Sequence, residues 1–81
     1  MYYTQLRAFH AVALHGSFTE AAMSLGLTQP TLSDQVKKLE RDFAVTLFSR
    51  IRKRTTLTET GQRLFEVADN MLDLENRAIE L

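Results

Sequence analysis

The stretch LTQPTLSDQVKKLE, residues 27–40, decides the fold. Leu32, Val36 and Leu39, followed by Phe43, recur at i, i+4, i+7 and i+11, which is one apolar stripe of a helix. The front of that helix carries short hydrogen-bonding side chains, Thr28, Gln29, Thr31 and Ser33, and its back carries Lys37, Lys38 and Arg41. Pro30 suits a first helical turn, where its missing N–H costs nothing. The pattern predicts a helix from Gln29 or Pro30 to about Asp42. Small polar groups at a helix N-terminus approach a ligand closely, and cations behind them suit a polyanion.

The preceding segment strengthens that reading. SFTEAAMSLG opens with Ser17-x-x-Glu20, a capping-box spacing, which predicts a short helix from Phe18 to Leu25, ended by Gly26. Two helices joined by the glycine-containing turn LGLT make a helix-turn-helix pattern. In that arrangement the second helix lies in the DNA major groove. Gln29 can then pair with adenine N6 and N7, and Thr31 or Ser33 with either kind of base edge. The helix N-terminus favours a nearby phosphate, and Lys37, one turn beyond Ser33, meets the backbone. The plainer reading makes Thr28 and Ser33 ordinary caps and the cations solvated surface. Ahead of the pair, a first helix is predicted from a Thr4 cap to Leu14, with Leu6, Phe9 and Ala13 facing inward and Gly16 stopping it.

Beyond the pair, VTLFSRIRKRTTLTE changes character. Leu47, Phe48, Ile51 and Leu57 are apolar, and Arg50, Arg52, Lys53 and Arg54 crowd five positions. We read two short strands with a basic tip that lacks glycine or proline. Such a tip can enter a minor groove or clamp phosphate. Thr58 then caps a long helix, Glu59 to Leu81, in which Leu64, Val67, Met71, Leu74, Ala78 and Leu81 fall at alternating spacings of three and four. Phe65, Ala68, Leu72 and Ile79 form a second strip beside this seam. One strip suits the domain core and the other a partner helix, because 23 residues span roughly 35 Å. A two-fold dimer suits the reading of two DNA half-sites. Residues 1–58 are expected to form the DNA-binding domain and 59–81 a dimerisation helix.

Charge is distributed accordingly. The net charge is zero, yet residues 37–54 hold seven Lys/Arg against two acids, and residues 55–81 hold two Arg against six acids. A local basic block is the footprint of a focused polyanion contact. The chain has 81 residues and 44% hydrophobic content, which suits one small domain. It has no cysteine, which excludes disulfides and thiolate sites and is compatible with a reducing cytosol. Neither a signal peptide nor a membrane-spanning run is visible. Enzymatic readings find little support. His10 and His15 are five apart, off the spacing of one helix face, and neither a nucleophile motif nor a glycine-rich phosphate loop is present. Asp69, Asp73, Glu75 and Glu80 read as the solvated face of the last helix. No cofactor or metal is expected.

LRAFHAVALHGSFTEAAMSLGLTQPTLSDQVKKLE, followed by LFSRIRKRTTLTETG, resembles the N-terminal DNA-binding domain of LysR-type transcriptional regulators. The specific pieces are Gly16–Ala22, Thr28–Ser33, Leu47–Arg50 and Leu57–Gly61. The resemblance implies a mainly α fold: a winged helix-turn-helix, three helices and a two-stranded wing, followed by a linker helix that pairs with a second protomer. It implies cytoplasmic, bacterial, homodimeric binding to an imperfect inverted repeat in promoter DNA. Gln29, Pro30, Thr31, Ser33 and Asp34 fall where bases are contacted. Ser17, Thr19, Thr28, Lys37 and the wing residues Arg50, Arg52, Lys53 and Arg54 fall where the DNA backbone is met. Phe9, Phe18, Ala22, Leu32, Val36, Leu39, Leu47 and Phe48 look like core.

Two departures stand out. Position 34 is often basic in this family; here Asp34 must accept a hydrogen bond, for example from cytosine N4, or restrain Gln29 or Lys37. The family's inducer-binding C-terminal domain has no counterpart in these residues, which implies a regulator shortened to its DNA-binding part, with no small-molecule site. The rival reading is a protein-interaction module using the same fold for assembly, which has no need of so dense a basic block. A small hydrolase would need a convergent acid/base pair.

Overall fold

The computed structural model describes residues 2–51 and 54–81. Its elements are helices α1 (Tyr2–His15), α2 (Phe18–Leu25) and α3 (Gln29–Phe43), strands β1 (Phe48–Ile51) and β2 (Arg54–Leu57), and helix α4 (Glu59–Ile79). This is the mainly helical winged architecture expected. Each of the later helices starts on a side-chain cap. Ser17 Oγ accepts from the Glu20 N–H at 3.2 Å, Thr28 Oγ1 from the Thr31 N–H at 3.3 Å, and Thr58 Oγ1 from the Gly61 N–H at 3.0 Å. These bonds satisfy amides that a helix N-terminus leaves without partners.

The helix ends use left-handed residues. Gly26 takes φ 67°, as a C-terminal glycine should. Ala44 takes φ 53° without being glycine, and its N–H bonds to Arg41 O while the Val45 N–H bonds to Glu40 O. That reversal sends the chain back along α3 into β1. The strands pair antiparallel, Phe48 with Leu57 through Ile51 with Arg54. The basic-tip positions Arg52 and Lys53 lie outside the described residues.

Two apolar clusters hold these elements together. Ala8, Ala11, Val12, Ala21, Ala22, Leu32 and Val36 fill the space among α1, α2 and α3. Phe9, Leu39, Leu47 and Ala68 tie α1, α3, the base of the wing and α4 together. Phe18 and Phe48 are half-buried at the edge of the first cluster. The inward face of α1 differs from the expected Leu6, Phe9 and Ala13: Gln5, Ala8, Phe9, Ala11 and Val12 are buried, with Leu6 and Ala13 half-buried. The helix is packed on several sides, so small alanines close against neighbours. It also begins at Tyr2, which places Thr4 inside the first turn. Phe43 leaves the stripe and is half exposed against Tyr2, ring centroids 5.1 Å apart, because α3 has there reached the start of α1.

Helix α4 shows both strips. Ala68 is fully buried, and Phe65 and Leu72 are half-buried beside it, while Val67 and Leu74 are each 61% exposed. Not all of its acids form a solvated face, as the sequence suggested. Asp69 accepts from or bonds to His10 Nε2 at 2.9 Å, and Glu75 receives the Tyr3 hydroxyl and lies 3.7 Å from Arg7. These pairs run antiparallel along α1 and α4. They fix α4 against α1.

Candidate nucleic-acid interface

Burying Leu32, Val36 and Leu39 turns the opposite arc of α3 outward. Thr28, Gln29, Pro30, Thr31, Asp34 and Lys37 are exposed there, and Ser33 is half-buried. Gln29, Ser33 and Lys37 stand at successive i+4 positions of α3 and line one groove together with Arg50 of β1. Phe18, Val36 and Phe48 give the same groove an apolar lining, and Glu40 completes it. Thr31 lies two positions from Ser33, so the two side chains leave α3 in different directions. The Thr31 hydroxyl accepts instead from the Thr28 hydroxyl at 2.9 Å.

Polar contacts around the groove sort its charges. Glu40 Oε2 accepts the Leu47 N–H at 2.7 Å, which anchors β1 against α3 and engages the carboxylate. The Arg50 guanidinium carbon sits 4.7 Å from the Phe18 ring centroid. Asp34 pairs with Lys38, one helical turn on, at 3.2 Å; the restraint of Gln29 or Lys37, one of the two roles read for it from the sequence, is not the pair that forms. Among the described residues, Lys38 is the only cation of the basic block held in an ion pair. Lys37, Arg41, Arg50 and Arg54 are exposed to solvent, and Lys37 and Arg50 line the same groove.

The model of the bacterial regulatory helix-turn-helix protein, lysR family, matches residues 3–62, most of the chain. The chain belongs to this family. It is 51% identical over 67 residues to the transcriptional regulator PtxR of Pseudomonas aeruginosa, covering 83% of this chain and 22% of that protein. It is 44% identical over 75 residues to the regulator BudR of Klebsiella aerogenes, covering 93% of this chain and 52% of that one. It thus spans between about a fifth and a half of the length of these relatives. The solved DNA-binding domain of BenM in complex with catB site 1 DNA superposes with a TM-score of 0.91 at 31% identity, covering 99% of this chain and 89% of that one.

Within this LysR-family fold the other candidate residues occupy distinct stations. Ser17 and Thr28 serve as helix caps, and Thr19 is exposed in the first turn of α2. Arg54 is exposed on β2 opposite Ile51. Arg52 and Lys53, the remaining wing cations, lie outside the described residues. Of the seam on α4, Leu64 packs on the protein's own second cluster, Met71 is half-buried, and Val67, Leu74, Ala78 and Leu81 are exposed. Sequence reasoning placed Phe18 only in the core and gave Glu40 no task. The spacing Phe48-x-Arg50 signals the first, since alternate strand residues share a face. The second had no local signal, because Glu40 and Leu47 meet only after the chain reverses at Ala44.

Proposed function

We propose that this protein is a sequence-specific DNA-binding domain of a LysR-type transcriptional regulator, acting as a homodimer on an imperfect inverted repeat in promoter DNA. The observation that carries the reading is that Gln29, Ser33 and Lys37 of α3 and Arg50 of the wing line one groove. Support also comes from PtxR and BudR, which are transcriptional regulators, and from the BenM domain, which is held on DNA.

In this reading α3 enters the major groove. Gln29 pairs with adenine, Thr31 and Ser33 meet base edges on either side of the helix, and Pro30 contacts a thymine methyl or sugar. Asp34 offers its carboxylate to cytosine N4, and Lys38 turns from it toward phosphate. Lys37, Arg50, Arg54, Thr19 and the cap hydroxyls of Ser17 and Thr28 hold the backbone, with Arg52 and Lys53 at the wing tip reaching the minor groove or its phosphates. Residues 1–58 read DNA, and residues 59–81 pair through Val67, Met71, Leu74, Ala78 and Leu81, with Leu64 at the root. Such a domain works in the cytoplasm, without a cofactor or catalysis. Sensing of an inducer belongs to other parts of a regulator of this family.

The second reading, a module for assembly alone, draws on the exposed Val67, Leu74 and Ile79. It leaves Lys37 and Arg50, the two exposed cations that line the groove, without a task. The test is a salt series of duplex binding with Gln29→Ala and Ser33→Ala. Each is expected to lose about 1–3 kcal/mol of discrimination between sequences while keeping the salt slope. Binding insensitive to salt, or sequence preference untouched by both substitutions, rejects the reading.

A further inference from the structure

We propose that Phe18 is a positioning residue for DNA binding: its ring is the shelf that holds the Arg50 guanidinium at the rim of the groove. The proposal rests on the reading that Arg50 meets DNA phosphate.

Four observations carry it. The guanidinium carbon of Arg50 lies 4.7 Å from the Phe18 ring centroid, within cation–π range. Phe18 is itself fixed from behind: its ring meets Phe48 edge-on at 5.6 Å, and Phe48 lies 5.3 Å from Phe9, which is fully buried. A row of aromatic rings therefore runs from the core to the surface and ends under one cation. Phe48 and Arg50 are two residues apart on β1, so strand alternation delivers both to the same side, toward α2. The half-buried position of Phe18 leaves one side of its ring for Arg50.

The chemistry suits a phosphate clamp. Arginine is a long, rotamer-rich side chain, and ordering it on binding is unfavourable. Contact through the guanidinium carbon leaves the N–H donors at its edges available for a bidentate bond to phosphate oxygens. Arg50 is thus oriented before DNA arrives, and the loss of freedom has already been met by the fold. Lys37 and Ser33 line the same groove, so a phosphate seated at Arg50 stands next to the face of α3 that meets the bases. Phe18 couples the start of α2 to the wing in this way and does not itself need to touch DNA.

A double-mutant cycle tests this, read by anisotropy of a fluorescent mixed-sequence duplex across a salt series. Arg50→Ala is expected to weaken binding and lower the slope of log K against log salt by about one. Phe18→Leu, with Arg50 intact, is expected to weaken binding about two- to fivefold, while Phe18→Tyr, which keeps the ring, stays at the level of the parent protein. In the Arg50→Ala background Phe18→Leu is expected to have no further effect. Equal losses from Phe18→Leu in both backgrounds overturn the proposal and leave Phe18 as packing alone. An affinity and slope unchanged by Arg50→Ala overturn the reading of Arg50 as a phosphate contact, and the proposal with it. A second measurement needs no Phe18 variant: in the DNA-free protein the Arg50 δ protons should show an upfield ring-current shift by NMR. Random-coil shifts there overturn the shelf irrespective of binding.

Discussion

The imidazole of His10 lies flat against the ring of Phe65, with centroids 4.9 Å apart and planes within 4°, while its Nε2 sits 2.9 Å from Asp69 Oδ1. One side chain of α1 thus makes an aromatic stack and a polar bond to the same helix, α4, far along the chain. An aromatic pair adds about 0.5–1.5 kcal/mol beyond its burial, and a hydrogen bond about 1 kcal/mol. His10→Ala is expected to lower stability by about 2 kcal/mol in urea unfolding. His10→Phe keeps the stack, loses the bond to Asp69 and should fall between the two. A wild-type midpoint for His10→Ala would show that neither the stack on Phe65 nor the bond to Asp69 holds α4 in place.

Gly61 marks the closest approach of α4 to the wing. A Cβ at this position would stand 2.3 Å from the Leu47 carbonyl oxygen, the same oxygen that accepts the Thr58 N–H. Backbone cannot step aside as a side-chain tip can. Gly61→Ala is expected to be destabilised by about 3 kcal/mol, the upper part of the range for overpacking. Gly26→Ala meets open space and suffers only its positive φ, about 1 kcal/mol. Equilibrium unfolding of the two variants should place Gly61→Ala clearly lower.

The wing is tied to α3 through Glu40. Its Oε2 accepts the Leu47 N–H at 2.7 Å in a part-buried setting. Glu40→Ala strands that amide and should lower stability by about 1–3 kcal/mol. Glu40→Gln keeps an acceptor and should recover most of the loss. Hydrogen exchange at the Leu47 amide reports the same event directly: it should quicken in Glu40→Ala and stay slow in Glu40→Gln.

The two strips of α4 should separate folding from assembly. Ala68 is fully buried, whereas Val67 and Leu74 are each 61% exposed. Ala68→Asp puts an unpaired carboxylate in the core and is expected to unfold the protein. Leu74→Asp should retain the helical circular dichroism of the parent and sediment as a monomer. A Leu74→Asp protein that remains dimeric would move the interface away from the seam.

Local signals explain what the sequence disclosed. The caps Ser17 and Thr58, the glycine at 26 and the apolar stripe Leu32–Val36–Leu39 each involve neighbours within one or two turns, and each appears in the structure at its expected place, while Thr28 takes the cap that its plainer reading gave it. The paired strands were legible from Leu47 to Leu57 by residue type. Features that depend on how helices cross were not. The bonds from Asp69 and Glu75 to α1 require a partner 59 or more residues away, so a list of acids on one helix reads as solvated surface. Phe43 keeps the period of its helix, but the helix it should pack on has ended. The Asp34–Lys38 pair has the i, i+4 spacing of helix neighbours, but Lys37 at i+3 is as near in sequence, and only the structure separates the two. Gly61 belonged to a recognisable motif, and only the approach of Leu47 supplies its reason.

Sequence-specific reading by a dimer is tested by selecting binding sites for this protein from duplexes with a random core, at moderate salt, and sequencing what is retained. An enriched inverted repeat, lost or altered base by base in Gln29→Ala and Ser33→Ala, is the expected result. Salt-dependent retention with no enriched motif, or no retention at all, would contradict sequence-specific reading by a dimer.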